Sequence, residues 1–273
     1  SGYSVSLSSD GNIIAIGATG NNDNGFDSGH VSVYKYIDGL GDSDGTRVQM
    51  GQDIVGERAY DQLGRSVSLS SNGKIVAIGA PYNDGNYSLH VIDEARTVRD
   101  NTENQADIER LNYIETIRYL STGTETQIQS FNTLQQAAHD KFLAAVYDAD
   151  NTFNLFTDGD DDYIGHVKIY EYIDGADGVD GVDGTWIQMG QDIDGELTKD
   201  KSGQSVSLSS DGKVVAIGAP QNDGNGPNSG HVRVLEYDGS TWVQQGQDID
   251  GIGVDDESGY SVSLSSDGKV VAV

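Results

Sequence analysis

The aspartates of this sequence are spaced so that several carboxylates could bind one calcium ion. One set lies in Asn-Asp loops, and another recurs every three residues in an Asp-Gly ladder. Calcium takes six to eight oxygen ligands, whereas zinc and copper prefer nitrogen or sulfur. The sequence therefore predicts a Ca²⁺ cofactor held by some of Asp23, Asp27, Asp84, Asp223, Asp174, Asp177, Asp180 and Asp183. The rival interpretation is that Asp, Asn and Gly simply favour turns.

The loops connect copies of one phrase, which is written four times. Val5 and Leu7 alternate with serines at the period of a half-buried strand. Asp10-Gly11 then predicts a tight two-residue turn with positive φ angles. The return strand is apolar on both faces, so it belongs inside a sheet packed on two sides. Each copy therefore predicts a β-hairpin: SGYSVSLSSDGNIIAIGA from Ser1, GRSVSLSSNGKIVAIGAP from Gly64, SGQSVSLSSDGKVVAIGAP from Ser202 and SGYSVSLSSDGKVVAV from Ser258.

Two further strands follow each hairpin. The third strand starts at His30, His166 and His231, and the fourth is a single strand from Thr46, Thr185 and Thr241. Four antiparallel strands followed by a short connection are typical of a propeller blade. The chain holds three full repeats and a half, which is too few blades to close a propeller. Either further repeats lie outside this sequence, or the exposed sheet edges pair with another copy. It opens in mid-phrase, which predicts a processed product or a fragment.

One repeat contains an insertion, because Gly64 and Gly203 are more than twice as far apart as Gly2 and Gly64. Apolar residues at threes and fours between residues 108 and 145 predict two antiparallel helices. The predicted fold class is therefore mostly β, with propeller-type four-stranded blades and an inserted α-helical hairpin. The predicted domains are 1–90 with the first repeats, 91–165 with the helical insertion, and 166–273 with the remaining repeats.

Composition excludes several partners. The formal net charge is −28, from 44 acidic and 16 basic residues. Nucleic acids and anionic membranes require a basic surface, so neither is a predicted partner. Such acidity favours solubility in a salty medium and attracts cations. The sequence has no cysteine, and no apolar run approaches the ~18 residues of a membrane span.

The phrase D-x-x-G-x-S-V-S-L-S-x-D-G-x-x-V-A-I-G-A-P resembles the FG-GAP repeat of integrin α-subunit propellers. It is closer to the bacterial and algal variety with a W-x-Q-x-G-Q-D strand than to the integrin repeat. The resemblance covers residues 1–90 and 166–273 and implies a propeller fold. It does not carry over the calcium loop of integrins, which is cut here to Ser-Ser-Asp-Gly. It also implies that Asp61, Asp200 and either Asp255 or Asp256 bond backbone amides and fix the link between blades.

No catalytic constellation stands out. Four histidines occupy one repeat position or its split copy: His30, His90, His166 and His231. The serines repeat in the same way, so none is singled out as a nucleophile beside a base. Trp186 and Trp242 could stack on sugars or could anchor the outer strand of each blade. The sequence therefore predicts a protein that is not an enzyme.

The leading functional hypothesis is an extracellular or cell-surface adhesion or structural module that assembles head-to-tail. Its predicted contacts with a protein partner or with another copy use exposed blade edges and the helical insertion. The alternative is a calcium-dependent, lectin-like propeller that binds glycans or another ligand.

Overall fold

Each repeat forms one antiparallel sheet in the computed structural model, which describes residues 2–39, 44–84, 163–175 and 183–273. The first sheet contains β1 (Ser4–Leu7), β2 (Ile13–Ala18), β3 (His30–Ile37), β4 (Thr46–Gln49) and β5 (Ile54–Val55). The second contains β6 (Ser66–Leu69), β7 (Ile75–Ala80), β8 (His166–Ile173), β9 (Thr185–Gln188) and β10 (Ile193–Asp194). The third contains β11 (Ser205–Leu208), β12 (Val214–Ala219), β13 (His231–Tyr237), β14 (Trp242–Gln244) and β15 (Ile249–Asp250). A last hairpin pairs β16 (Ser263–Leu264) with β17 (Val271–Ala272).

The predicted fourth strand is two short strands. In the first sheet the order is β1-β2-β3-β4, and β5 also pairs with β3. Gly51 lies between β4 and β5 with a φ of 68°, a conformation that costs a residue with a side chain about 1–2 kcal/mol. The chain turns at Gly51, so β5 pairs with the start of β3 at Val31. Gly190 and Gly246 repeat this turn with φ angles of 71° and 78°.

The hairpin turn is also longer than the predicted two residues. Only Gly11 has a positive φ, at 72°, and Asp10 does not. The Ser8 amide donates to the Ile13 carbonyl, so residues 9–12 form the loop. The Ser8 hydroxyl binds the Asp10 carboxylate at 2.6 Å, and this bond lowers the pKa of Asp10. The aspartate therefore acts as a turn former here.

The predicted fold class requires a correction. The described residues form only β-strands in antiparallel sheets and contain no helix, so over these ranges the fold is all-β rather than β with a helical hairpin. Their apolar residues follow the strand period, and their amides are satisfied across strands. The stretch on which the helices were predicted, 108–145, lies outside the described residues. No helix in the described part of the chain could span a membrane.

The described residues on either side of the gap between 84 and 163 meet at one loop. The amides of Ile164 and Gly165 donate to the carbonyl oxygen of Asn83 at 3.1 and 2.8 Å. Ala80 pairs with His166 in the register that joins Ala18 to His30. The segments Ser1–Gly85 and Asp161–Val273 belong to one unit. The predicted domain bounds stay a prediction.

Apolar cores join successive sheets. Leu69, Val76 and Ile78 of the second sheet pack with Ile13 and Val33 of the first. A second apolar core joins the second and third sheets in the same way.

The two tryptophans belong to these cores. Trp186 is buried and donates its indole N–H to the Met50 carbonyl of the preceding sheet at 2.7 Å. Trp242 is also buried and donates to the Met189 carbonyl at the same distance. Each tryptophan therefore bridges two repeats.

Serines of the phrase bind successive hairpins to each other. Ser6 Oγ accepts the Leu69 amide at 2.9 Å, and Ser68 Oγ accepts the Leu208 amide at 3.0 Å. Ser207 Oγ accepts the Leu264 amide in the last pair of hairpins. A second series runs from serine hydroxyls to glycine carbonyls of the next repeat: Ser4 to Gly64, Ser66 to Gly203 and Ser205 to Gly259. The repeated serines are therefore structural links between repeats.

Candidate functional site

Two of the predicted calcium ligands lie in the loop between β2 and β3. A carboxylate oxygen of Asp23 is 3.7 Å from Nδ1 of His30. Asp27 has a positive φ of 51°, and its amide donates to the side-chain oxygen of Asn22 at 2.8 Å. These contacts shape the loop, as the turn interpretation predicts.

Asp223 and Asp84 occupy related loops. Oδ1 of Asp223 accepts the Asn228 amide at 2.8 Å, which is the bond that Asn22 makes in the first repeat. Asp84 is 3.9 Å from the guanidinium of Arg58. The structural counterpart of Asp223 in the first repeat is therefore Asn22 and not Asp23.

The remaining predicted ligands are the four aspartates of the Asp-Gly ladder. Asp174 forms an ion pair with Lys74 at 2.5 Å, and Asp183 is exposed. Asp177 and Asp180 lie outside the described residues. None of the described residues predicted to bind calcium belongs to a group of three His or acidic side chains with converging ligand atoms. The calcium site stays a prediction.

Aspartates hold the links between sheets, as the resemblance implied, and Asp61 and Asp200 are buried there. Oδ2 of Asp61 accepts the amides of Glu57 and Arg58 at 3.0 and 2.8 Å. Asp200 does the same for Glu196 and Leu197 in the second link. In the third link the residue is Asp256, which binds the Gly253 amide at 2.7 Å. Burial raises the pKa of Asp61 to about 6, against the opposing effect of its hydrogen bonds.

This pKa predicts a pH-dependent stability. The folded pKa lies above the ordinary 3.8, so between about pH 4 and 6 the folded state holds the proton more often than the unfolded state. The contribution of Asp61 to stability is then complete below about pH 4 and is lost as the pH rises to about 6. We expect Asp61→Asn to gain stability relative to wild type over this interval.

Urea unfolding of wild type and Asp61→Asn at a series of pH values measures the difference in their free energies of unfolding. The titration of other groups contributes equally to both proteins and cancels in this difference. The nearby Asp84 carboxylate contributes to the raised pKa, so Asp84→Asn should shift the transition to lower pH. A difference between wild type and Asp61→Asn that stays constant from pH 4 to 6 would contradict the assignment.

Acidic and histidine side chains converge at both junctions between sheets. At the first junction they are Glu57, His166 and Asp192, and at the second they are Glu196, His231 and Asp248. Within each group one ligand atom per residue lies within 4.8 Å of the others. The histidine begins the third strand of its sheet and the aspartate precedes the last short strand. The glutamate comes from the link that follows the preceding sheet.

A lysine lies against both acids of the first group. The ammonium of Lys168 binds Glu57 and lies 3.5 Å from Asp192. Burial opposes the charge of Lys168, but the bond to Glu57 and the nearby acids raise its pKa above the ordinary value. Burial and the charge of Lys168 lower the pKa of His166 to about 4. Burial, together with Asp192, raises the pKa of the neighbouring Asp194.

An arginine stands at the place of Lys168 in the second group. Arg233 follows His231 by two residues, as Lys168 follows His166. Its guanidinium donates to the backbone carbonyl oxygen of Asp194 at 2.5 Å. The two junctions therefore share their acids and histidine but not the position of their cation.

The histidines of these groups stand out in the sequence because they recur at one repeat position, whereas their acids do not stand out. Glu57 and His166 are separated by the whole insertion, so no spacing could connect them. The sequence signal that could have found the aspartates is the repeated Gln-x-Gly-Gln-Asp, whose first glutamine is four residues before the aspartate. Asp192 and Asp248 each accept a bond from the glutamine four residues earlier, at 2.6 Å.

The comparison with protein families gives one match. The FG-GAP repeat model matches residues 194–235, which run from the end of β10 through the Asp200 link and the third hairpin into β13. The resemblance predicted from the phrase is confirmed by this match. A comparison with curated proteins finds no match.

Proposed function

From the FG-GAP repeat that residues 194–235 carry, we propose that this protein is a non-catalytic, extracellular adhesion or structural module that assembles head-to-tail. FG-GAP repeats are typical of extracellular and surface proteins. The net charge of −28 favours solubility in a salty medium. The observation that carries the assembly proposal is that every hairpin binds the next one through the same contacts.

The first hairpin has an exposed face that its copies bury. Val5 and Leu7 of β1 are 60% and 56% exposed. Leu69 and Leu208, the counterparts of Leu7, are 8% and 7% exposed, and Val206, a counterpart of Val5, is 9% exposed, because each packs on the preceding sheet. Burying a side chain of this size contributes about 1.5–3 kcal/mol, so this face favours association with a further repeat.

The last hairpin exposes the complementary face. Val270 is 66% exposed, whereas its counterparts Ile13 and Ile75 are 8% exposed under the turn of the following hairpin. The hydroxyl of Ser263 stands where Ser207 accepts an amide from the next hairpin. A second copy that docks its first hairpin here would repeat the contacts already made between repeats.

The glycan-binding alternative has less support. The two tryptophans that could stack on a sugar are buried between sheets, and their N–H groups bind backbone carbonyls. The serines of the phrase are likewise engaged in bonds between hairpins. These contacts favour a scaffold role over catalysis or sugar stacking.

Analytical ultracentrifugation tests the assembly. We expect the mass of wild type to rise with concentration and that of Val5→Asp and Val270→Asp to stay monomeric, since each variant lacks one of the two faces. A mixture of the two variants should form dimers and nothing larger, because each retains the face that the other lacks.

Ile187→Asp is the matched control, since Ile187 is equally exposed on β9 but away from both faces. It should assemble as wild type does. A wild type that stays monomeric at every concentration, or a Val5→Asp variant that still assembles, would refute head-to-tail association.

A further inference from the structure

We propose that Glu196, His231 and Asp248 form a binding site for a divalent transition-metal ion, best suited to Zn²⁺, between the second and third sheets. This site is separate from the loops in which calcium was predicted. It would cross-link two repeats, because Glu196 belongs to the link after the second sheet and the other two residues belong to the third.

The geometry suits a shared ion better than a hydrogen bond. Nδ1 of His231 and Oδ2 of Asp248 are 3.8 Å apart, which is too long for a hydrogen bond. Two ligands bound to one tetrahedral zinc at ~2.0–2.2 Å are about 3.4 Å apart. His231 is 1% exposed, so its position is fixed by packing.

A neighbouring glutamine orients the carboxylate. Nε2 of Gln244 donates to Oδ1 of Asp248 at 2.6 Å, and Oδ2 is the oxygen that faces His231. Metal-binding carboxylates are commonly held by such a second bond, which keeps the free oxygen aimed at the ion.

The first junction supplies independent support that a cation belongs at this position. There the ammonium of Lys168 binds Glu57 and lies close to Asp192, which are the counterparts of Glu196 and Asp248. At the second junction Arg233 donates to the Asp194 carbonyl oxygen. The chain's own cation thus occupies the first group, and the second group is left to a metal ion.

The ligand types decide which metal. One imidazole nitrogen with two carboxylates suits zinc and related transition metals, whereas calcium needs six to eight oxygens. Three protein ligands leave a fourth tetrahedral position for water.

Zinc titration against a chromophoric chelator tests the site on the full chain, with excess Ca²⁺ and physiological salt to occupy oxygen-only sites. We expect one zinc per chain. Glu196→Gln and Asp248→Asn should each weaken binding at least tenfold, since even the loss of a supporting residue costs 10–100-fold. Glu196 is exposed, so its variant should fold as wild type does, which circular dichroism checks.

Variants at the first junction complete the test. Glu57→Gln should leave zinc affinity unchanged, and Lys168→Met should raise the stoichiometry from one to two. Wild type that binds no zinc, or binding that Glu196→Gln and Asp248→Asn leave intact, would overturn the proposal. Equal loss in Glu57→Gln, or a single site in Lys168→Met, would overturn the assignment of the two junctions.

Discussion

Replacing Gly79 with alanine is expected to lower the free energy of unfolding by about 3 kcal/mol, at the upper end of the usual cost of overpacking. Gly79 lies in β7, where the backbone of the next repeat approaches closely. A Cβ atom there would lie 2.0 Å from the Gly203 carbonyl oxygen and 2.4 Å from the Ser66 hydroxyl. It would enter the hydrogen bond that joins these two groups at 2.8 Å. Neither backbone can move away without parting the two sheets.

The equivalent glycines Gly17 and Gly218 face the same clash with the next repeat's carbonyl, at 2.1 and 1.9 Å, so their alanine variants should behave alike. Gly11→Ala is the matched control. A Cβ at Gly11 meets nothing within 4 Å, so only its positive φ of 72° adds a cost of about 1–2 kcal/mol. Urea unfolding followed by circular dichroism measures both. Equal losses in the Gly79 and Gly11 variants would show that close approach does not explain the repeated glycine.

The repeats and their strands could be predicted because each depends on a local pattern. Alternation at a period of two identifies β1, and a run that is apolar on both faces identifies β7, which is buried along its whole length. The repeated Asp61 and Asp200 could be assigned to the links because the phrase places them at a fixed distance before its glycine. These features need no knowledge of what lies across the sheet.

Features set by competing side-chain bonds could not be predicted. Asp10-Gly11 is compatible with a two-residue turn and with the longer loop observed, and the bonds of Ser8 to Asp10 and Ile13 decide between them. The prediction of a single fourth strand was wrong because the sequence pattern does not determine the φ angle of Gly51. The sequence pattern also cannot show that the serines bind the next hairpin rather than solvent.

The junction groups depend on contacts between repeats. Glu57 reaches Lys168 across more than a hundred residues, and in each group the glutamate comes from the link before the sheet that supplies the histidine and the aspartate. The loop aspartates were easier to notice because each lies in a short Asn-Asp loop, but their contacts are local or with a single cation: Asp223 accepts a backbone amide of its own loop, and Asp84 lies near Arg58. A search for acids that are close in sequence therefore finds residues that form turns, and it misses acids that come together only in the folded chain.

Replacing Asp200 with alanine is expected to lower the free energy of unfolding by about 3 kcal/mol, because one buried carboxylate oxygen serves three donors. It accepts the amides of Glu196 and Leu197 at 3.3 and 2.9 Å and the side chain of Asn222 at 2.9 Å. The buried Asn222 donor that loses its partner costs about 1–3 kcal/mol, and the amides of the exposed Glu196 and Leu197 add less because water can replace their bonds.

Asp256 provides the matched control, since it has the same place in the third link but is exposed there. Its carboxylate accepts the Gly253 amide, and water can replace it, so Asp256→Ala should cost less than about 1 kcal/mol. Asp200→Asn should fall between the two, since its amide keeps one oxygen acceptor. Urea unfolding of the three variants at one pH gives the comparison. If Asp200→Ala and Asp256→Ala lose equal stability, burial of the carboxylate is not what makes the second link rigid, and the repeats are held by their hairpin contacts alone.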